Sequence, residues 1–152
     1  MYKSITNLAL FFVVSGLLVF QGCGGNALGT VQVSGTVTLD GEPAEGVTVA
    51  FVPNGEGREA YGMTNAQGRF VLTVPGTEAG SGAVPGEYSV TFTKYNDPTA
   101  GMSDAEIMAL RHLPTPVSLL PPKYGDRNAT DIAPVKVEQR GKNNFSFALV
   151  TS

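Results

Sequence analysis

From Val31 onward the chain alternates apolar and polar residues in short blocks. Val31, Val33, Val37 and Leu39 share one parity, and Gln32, Ser34, Thr36 and Thr38 the other, the period of a half-buried strand. Asp40-Gly41 then turns the chain, since glycine reaches the positive φ that a tight hairpin needs. Val47, Val49 and Phe51 alternate with Thr48, Ala50 and Val52 as far as Pro53. Residues 61–64 predict a short strand, Asn65-Ala-Gln-Gly68 a second turn, and Phe70, Leu72 and Val74 the core side of the strand that follows. Residues 30–74 therefore read as two β-hairpins. Pro85-Gly86 opens the most regular run, with Tyr88, Val90 and Phe92 set against Ser89, Thr91 and Thr93. Residues 135–138 and 144–150 close the pattern, and Phe145, Phe147 and Leu149 are offered to a core.

Residues 96–131 break this alternation. Ser103-Asp-Ala-Glu106 is a capping box, which predicts a short helix from Asp104 to His112, stopped by Pro114. Ile107 and Leu110 would mark its apolar side. Residues 119–124 read as extended, because Pro121 and Pro122 forbid a helix interior. A connection this long inside a compact domain is usually functional or disordered, which makes 96–131 an insert and a candidate contact surface. A length of 152 residues, with 19 Gly and 10 Pro, suits one domain of many short strands. The expectation is an all-β chain: a single β-sandwich of about seven strands over residues 30–152, with one short helix in the insert.

The N-terminus predicts a signal peptide over residues 1–22. Lys3 precedes an uncharged apolar run from Leu8 to Phe20. That run is shorter than the roughly 20 residues needed to cross about 30 Å of hydrocarbon, but it suits an export signal. Gln21-Gly22-Cys23 follows and holds the only cysteine of the chain. This stretch resembles the lipobox of bacterial lipoproteins. Gly22 matches the small residue before the cysteine, while Phe20 stands where leucine is usual. The resemblance implies lipid attachment at Cys23, which would become the mature N-terminus and reach the membrane through its lipid anchor. Acyl chains contribute about 0.8 kcal/mol per buried CH₂, so several of them anchor stably. Gly24 carries no inner-membrane retention signal in that scheme, which implies an outer-membrane or cell-surface location in the envelope. Residues 23–29 would then form a flexible tether.

Beyond the tether, three stretches carry a second resemblance. They are Val33-Ser-Gly-Thr-Val-Thr-Leu-Asp-Gly-Glu-Pro-Ala-Glu-Gly-Val-Thr-Val49, Thr64-Asn-Ala-Gln-Gly-Arg-Phe70 and Pro85-Gly-Glu-Tyr-Ser-Val90. Together they resemble the carboxypeptidase regulatory-like, transthyretin-like (prealbumin-like) domains. Leu120-Pro-Pro-Lys-Tyr-Gly-Asp126 and Asn143-Asn-Phe-Ser-Phe147 resemble segments of small planctomycete-type lipoproteins that carry this domain. The resemblance implies a transthyretin-like or Ig-like sandwich and a non-catalytic envelope module. A related catalytic family, the transthyretin-like hydroxyisourate hydrolases, uses several histidines, an arginine and a terminal Tyr-Arg-Gly-Ser. This chain has His112 alone and reads Leu149-Val-Thr-Ser152, so that activity is not expected.

Charge and side-chain chemistry add little. The net charge of -3 is dispersed, which argues against nucleic acid as a partner. One cysteine excludes an internal disulfide. His112 has no second histidine or neighbouring cysteine and would end the predicted helix, where a cation suits the dipole. Asp97, Asp104, Asp126 and Asp131 lie in the insert without the spacing of a calcium loop. The Gly-rich stretch 76–82 lacks the Lys-Ser/Thr and the following helix of a phosphate cradle. No serine or threonine sits in a nucleophile motif. Tyr61, Tyr88, Tyr95 and Tyr124 are candidates to stack on a sugar, or to pack in the sandwich. No catalytic, metal or cofactor residue is expected. The expected role is a lipid-anchored module with an envelope protein as partner, or alternatively one that binds a glycan or small molecule through the insert.

Overall fold

A computed structural model describes residues 28–151; Cys23 and the signal peptide lie outside the described residues. The chain forms two sheets packed face to face, an all-β sandwich. In chain order the strands are β1 (Val33–Leu39), β2 (Glu42–Pro43), β3 (Thr48–Pro53), β4 (Ala60–Met63), β5 (Arg69–Val71), β6 (Gly86–Thr93), β7 (Val135–Val137) and β8 (Asn143–Leu149). The first sheet is built on β1. Strand β8 runs parallel to it over its full length, from Val33 opposite Asn143 to Leu39 opposite Leu149. The antiparallel strands β2 and β5 share the other side of β1. The second sheet is antiparallel throughout, in the order β4-β3-β6-β7.

The predicted alternation fills the core. Val33, Val37, Val49, Phe51, Phe70, Leu72, Val74, Val90, Phe92, Phe147 and Leu149 are all buried between the sheets. Phe51 is the hub. Its ring lies 5.7 Å from Tyr88 and from Phe145, 6.3 Å from Phe147 and 6.4 Å from Phe70. Tilted pairs at such distances each add about 0.5–1.5 kcal/mol beyond burial.

The two hairpins expected from the turns are only partly realised. Asp40 and Gly41 do take positive φ, 52° and 91°, and they set Leu39 opposite Glu42. The pairing ends at Pro43, and the chain crosses to the other sheet, so β3 pairs with β4 and β6 instead of β1. The Asn65–Gly68 turn likewise joins β4 in the second sheet to β5 in the first. Buried Thr64 ties the two crossings together. Its hydroxyl accepts from the Val47 N–H at 2.8 Å and donates to the Ala44 carbonyl at 2.6 Å. Its own N–H reaches the Val47 carbonyl at 2.9 Å. Alternation shows that one face of a strand is buried; it does not say which of two sheets the strand joins.

The insert also differs from expectation. Helix α1 spans Asp104–Ala109, with the predicted capping box at Ser103 and Glu106. It stops short of His112 because it buries no residue, and short helices need packing beyond their caps. Residues 122–124, expected to be extended, lie in a 3₁₀ turn at Pro122–Gly125. Pro122 fits there because the first turn needs no N–H from it. No described helix is long and apolar enough to cross a membrane.

The two flanks of the sandwich are unlike. On one, Thr73 bridges to Tyr61 in β4 through paired backbone bonds of 2.8 and 2.9 Å, linking the sheets. Gly62 permits this, since a Cβ there would sit 2.6 Å from the Val71 carbonyl oxygen. On the other flank, β8 and β7 are joined by a turn alone, closed by Asn143. Its side chain exchanges two 2.9 Å bonds with the backbone of Glu138. No described strand pairs with the outer edge of β8.

The registers also define two poles. At one, Val31 bridges Ala83 and the chain enters β1. At the other lie the ends of β1, β6 and β8, namely Leu39, Thr93 and Leu149.

Candidate interaction surface

The insert leaves the second sheet just after Thr93, at the pole opposite the chain's entry. A short neck closes its base. The Leu119 N–H donates to the Lys94 carbonyl at 2.7 Å, and the Asn96 N–H to the Val117 carbonyl at 3.0 Å. The Val117 N–H donates to Asn96 Oδ1 at 2.6 Å. Beyond the neck, the second half of the insert joins the core. Leu120 and Tyr124 are buried. The Tyr124 ring stands edge-on to Phe92, with centroids 6.4 Å apart, and its hydroxyl accepts the Val150 N–H at 3.0 Å. Lys123 lies over the Tyr124 ring at 4.8 Å and pairs with Asp131 at 3.0 Å. That pairing raises the Lys123 ammonium and lowers the Asp131 carboxyl from their ordinary values.

Residues 97–116 form an outer lobe with no buried residue. Its order is local. Asp97 accepts from the Thr99 hydroxyl at 2.7 Å and from its N–H at 2.9 Å, and these bonds hold its carboxyl below the usual range. Glu106 is held low in the same way by the hydroxyl and N–H of Ser103. The lobe nevertheless exposes large apolar side chains. Met108 is 86% exposed and Leu113 68%, with Met102 on the lobe and Val117, Leu119 and Tyr95 at the neck also exposed. Met63, at the end of β4, and Val150, just past β8, add exposed apolar surface at the same pole.

The candidate chemical residues are not brought together. Asp97 and Asp126 accept within their own turns, Asp131 pairs with Lys123, and Asp104 sits in the first turn of α1. No described group of three or more His, Cys, Asp or Glu is placed to hold a metal. His112 lies exposed in a bend beyond the helix rather than at its end. The Gly-rich stretch is pinned against the first strand. A Cβ on Gly82 would meet the Val31 carbonyl oxygen at 1.7 Å, and Thr77 donates to the Val74 carbonyl at 2.6 Å. The tyrosines divide evenly. Tyr88 and Tyr124 are core, the Tyr88 hydroxyl donating to the Val84 carbonyl at 2.7 Å and its ionisation pushed up by burial. Tyr61 and Tyr95 are exposed. The Tyr61 hydroxyl donates to the Glu59 carboxylate, which raises the phenol.

Shallow depressions of about 440, 390, 270 and 240 Å³ lie elsewhere on the described surface. The largest is lined by Val31, Gln32, Ser34 and residues 141–144, with Lys142 its one charged group. It has none of the aromatic walls with convergent polar groups typical of a ligand pocket. The exposed apolar side chains of the lobe escaped the sequence reading. The lobe's apolar residues follow no strand or helix period, so pattern alone did not mark them as a surface. The chain matches no family model, no curated protein and no solved structure.

Proposed function

We propose that the chain is a non-enzymatic, lipid-anchored module of the cell envelope with a structural or protein-interaction role. Cys23 would carry the lipid, and the lobe at residues 97–116 would face outward. The observation that supports this reading is polar placement. The chain enters the sandwich beside Ala83, and the exposed apolar side chains of the lobe gather at the opposite end. A module held at one pole presents the other to its surroundings, and exposed apolar clusters on a small domain mark interaction sites. The resemblance to carboxypeptidase regulatory-like domains supports the non-catalytic part of the reading.

The test is intact mass and membrane fractionation of the chain expressed with its own signal, beside Cys23→Ala. A mature chain beginning at Cys23 with added acyl mass, membrane-bound only when Cys23 is present, supports the proposal. A soluble product cleaved elsewhere and bearing no lipid overturns it.

A further inference from the structure

Sheet edges invite pairing with other chains, and proteins blunt them by shortness, proline, charge or cover. Four of the five peripheral strands among the described residues are blunted. Strand β2 has two residues and contains Pro43. Strand β5 has three and carries Arg69, β4 is bridged by Thr73, and β7 has three residues around Lys136, just after Pro134. Strand β8 has none of these devices. It runs seven residues, Asn-Asn-Phe-Ser-Phe-Ala-Leu, without charge, proline or glycine.

Its hydrogen-bonding phase is set by two bonds. The Asp40 N–H donates to the Leu149 carbonyl at 2.9 Å, so Leu149 and every second residue before it turn their peptide groups toward β1. Asn144, Ser146 and Ala148 therefore turn theirs outward. Val150 is next in that outward series, and its N–H is already taken by the Tyr124 hydroxyl. The open window runs from Asn144 to Ala148 and is symmetric about Ser146.

We infer that β8 pairs antiparallel with β8 of a second copy of this chain, about a two-fold axis at Ser146. In this register Ser146 faces the partner's Ser146, and Asn144 faces the partner's Ala148. Each facing pair exchanges both of its backbone bonds, and every outward group of the window is used. Phe145, half-buried at the open flank, comes beside the partner's Phe147. Charge complementarity selects a second copy as the occupant. Lys142, exposed just before β8, falls opposite the partner's Val150, next to the partner's Thr151. In each copy Thr151 donates through its N–H and hydroxyl, at 3.0 and 2.7 Å, to exposed Asp40. The cationic entry of one strand is thus brought to the end of the other at which Asp40 sits, one strand further in, twice by symmetry. The pairing does not depend on Cys23 or on a lipid.

The test is sedimentation equilibrium of the full chain in detergent, from low to high micromolar concentration, beside Ser146→Lys and Ser146→Pro. Ser146→Lys sets like charges opposite each other across the axis and keeps the exposed outer face polar. It is expected to weaken self-association by at least about tenfold while circular dichroism stays native. Ser146→Pro removes one outward N–H without touching the β1 ladder and is expected to do the same. Amide exchange at Asn144 and Ala148 is slow in the associated wild type and fast in the variants. A wild-type chain that stays monomeric throughout overturns the inference, as does a dimer that a folded Ser146→Lys leaves intact.

Discussion

The two halves of the insert make opposite use of the same connection. Residues 117–131 place Leu120 and Tyr124 in the core and tie the last strand to the second sheet through the Val150 N–H. Residues 97–116 bury nothing and hold their shape by a capping box, an Asp97 turn and the neck at Tyr95 and Ser118. The difference shows how a small sandwich carries a surface without weakening itself. Each doubling of loop length costs only about 0.6 kcal/mol in closure entropy, so an outer lobe adds little strain once its packed half holds the base. The lobe's shape is then free to serve contacts instead of stability.

Three substitutions probe this contrast. Tyr124→Ala removes the buried ring that joins the halves and should cost about 3–5 kcal/mol in urea unfolding. It should also speed amide exchange at the neck, at Asn96, Val117 and Leu119. A loss below about 1 kcal/mol would mean the packed half is not part of the core. Tyr124→Phe keeps the ring and removes the hydroxyl that accepts the part-buried Val150 N–H, for about 0.5–1.5 kcal/mol. In Ser103→Ala the capping box is lost, at about 1 kcal/mol to the helix itself. Because α1 buries nothing, the midpoint of global unfolding should move by less than about 0.5 kcal/mol. Exchange confined to residues 103–109 would rise. A global loss as large as that of Tyr124→Phe would erase the distinction between the halves.

Strand positions were legible because alternation is a local signal. Phe51, Phe70, Phe92 and Phe147 all went to the core as their parity required. The capping box at Ser103 was legible for the same reason. Sheet membership was not. The bonds that send the chain across at Ala44 and Thr64 join residues about twenty positions apart, and no dipeptide encodes them. The parallel match of β1 with β8 spans 110 positions and leaves no trace in either strand alone. The helix ran shorter than its cap suggested because Ile107 and Leu110 meet too little of the body to bury. For the site, the sequence marked the insert correctly as the irregular segment. It offered no signal for the methionine and leucine side chains that the structure exposes there.

The parallel pairing of first and last strands has a mechanical side. The chain enters β1 at one pole and leaves β8 at the other. A pull between the two ends therefore runs along the strands and loads the whole β1–β8 ladder in shear. Every rung must fail together, where a perpendicular pull would peel them off one at a time. The Asp40–Thr151 bonds sit at the last rung, on the side where such a load would arrive. A domain tethered at its start and tugged at its far end would resist with its full set of ladder bonds at once.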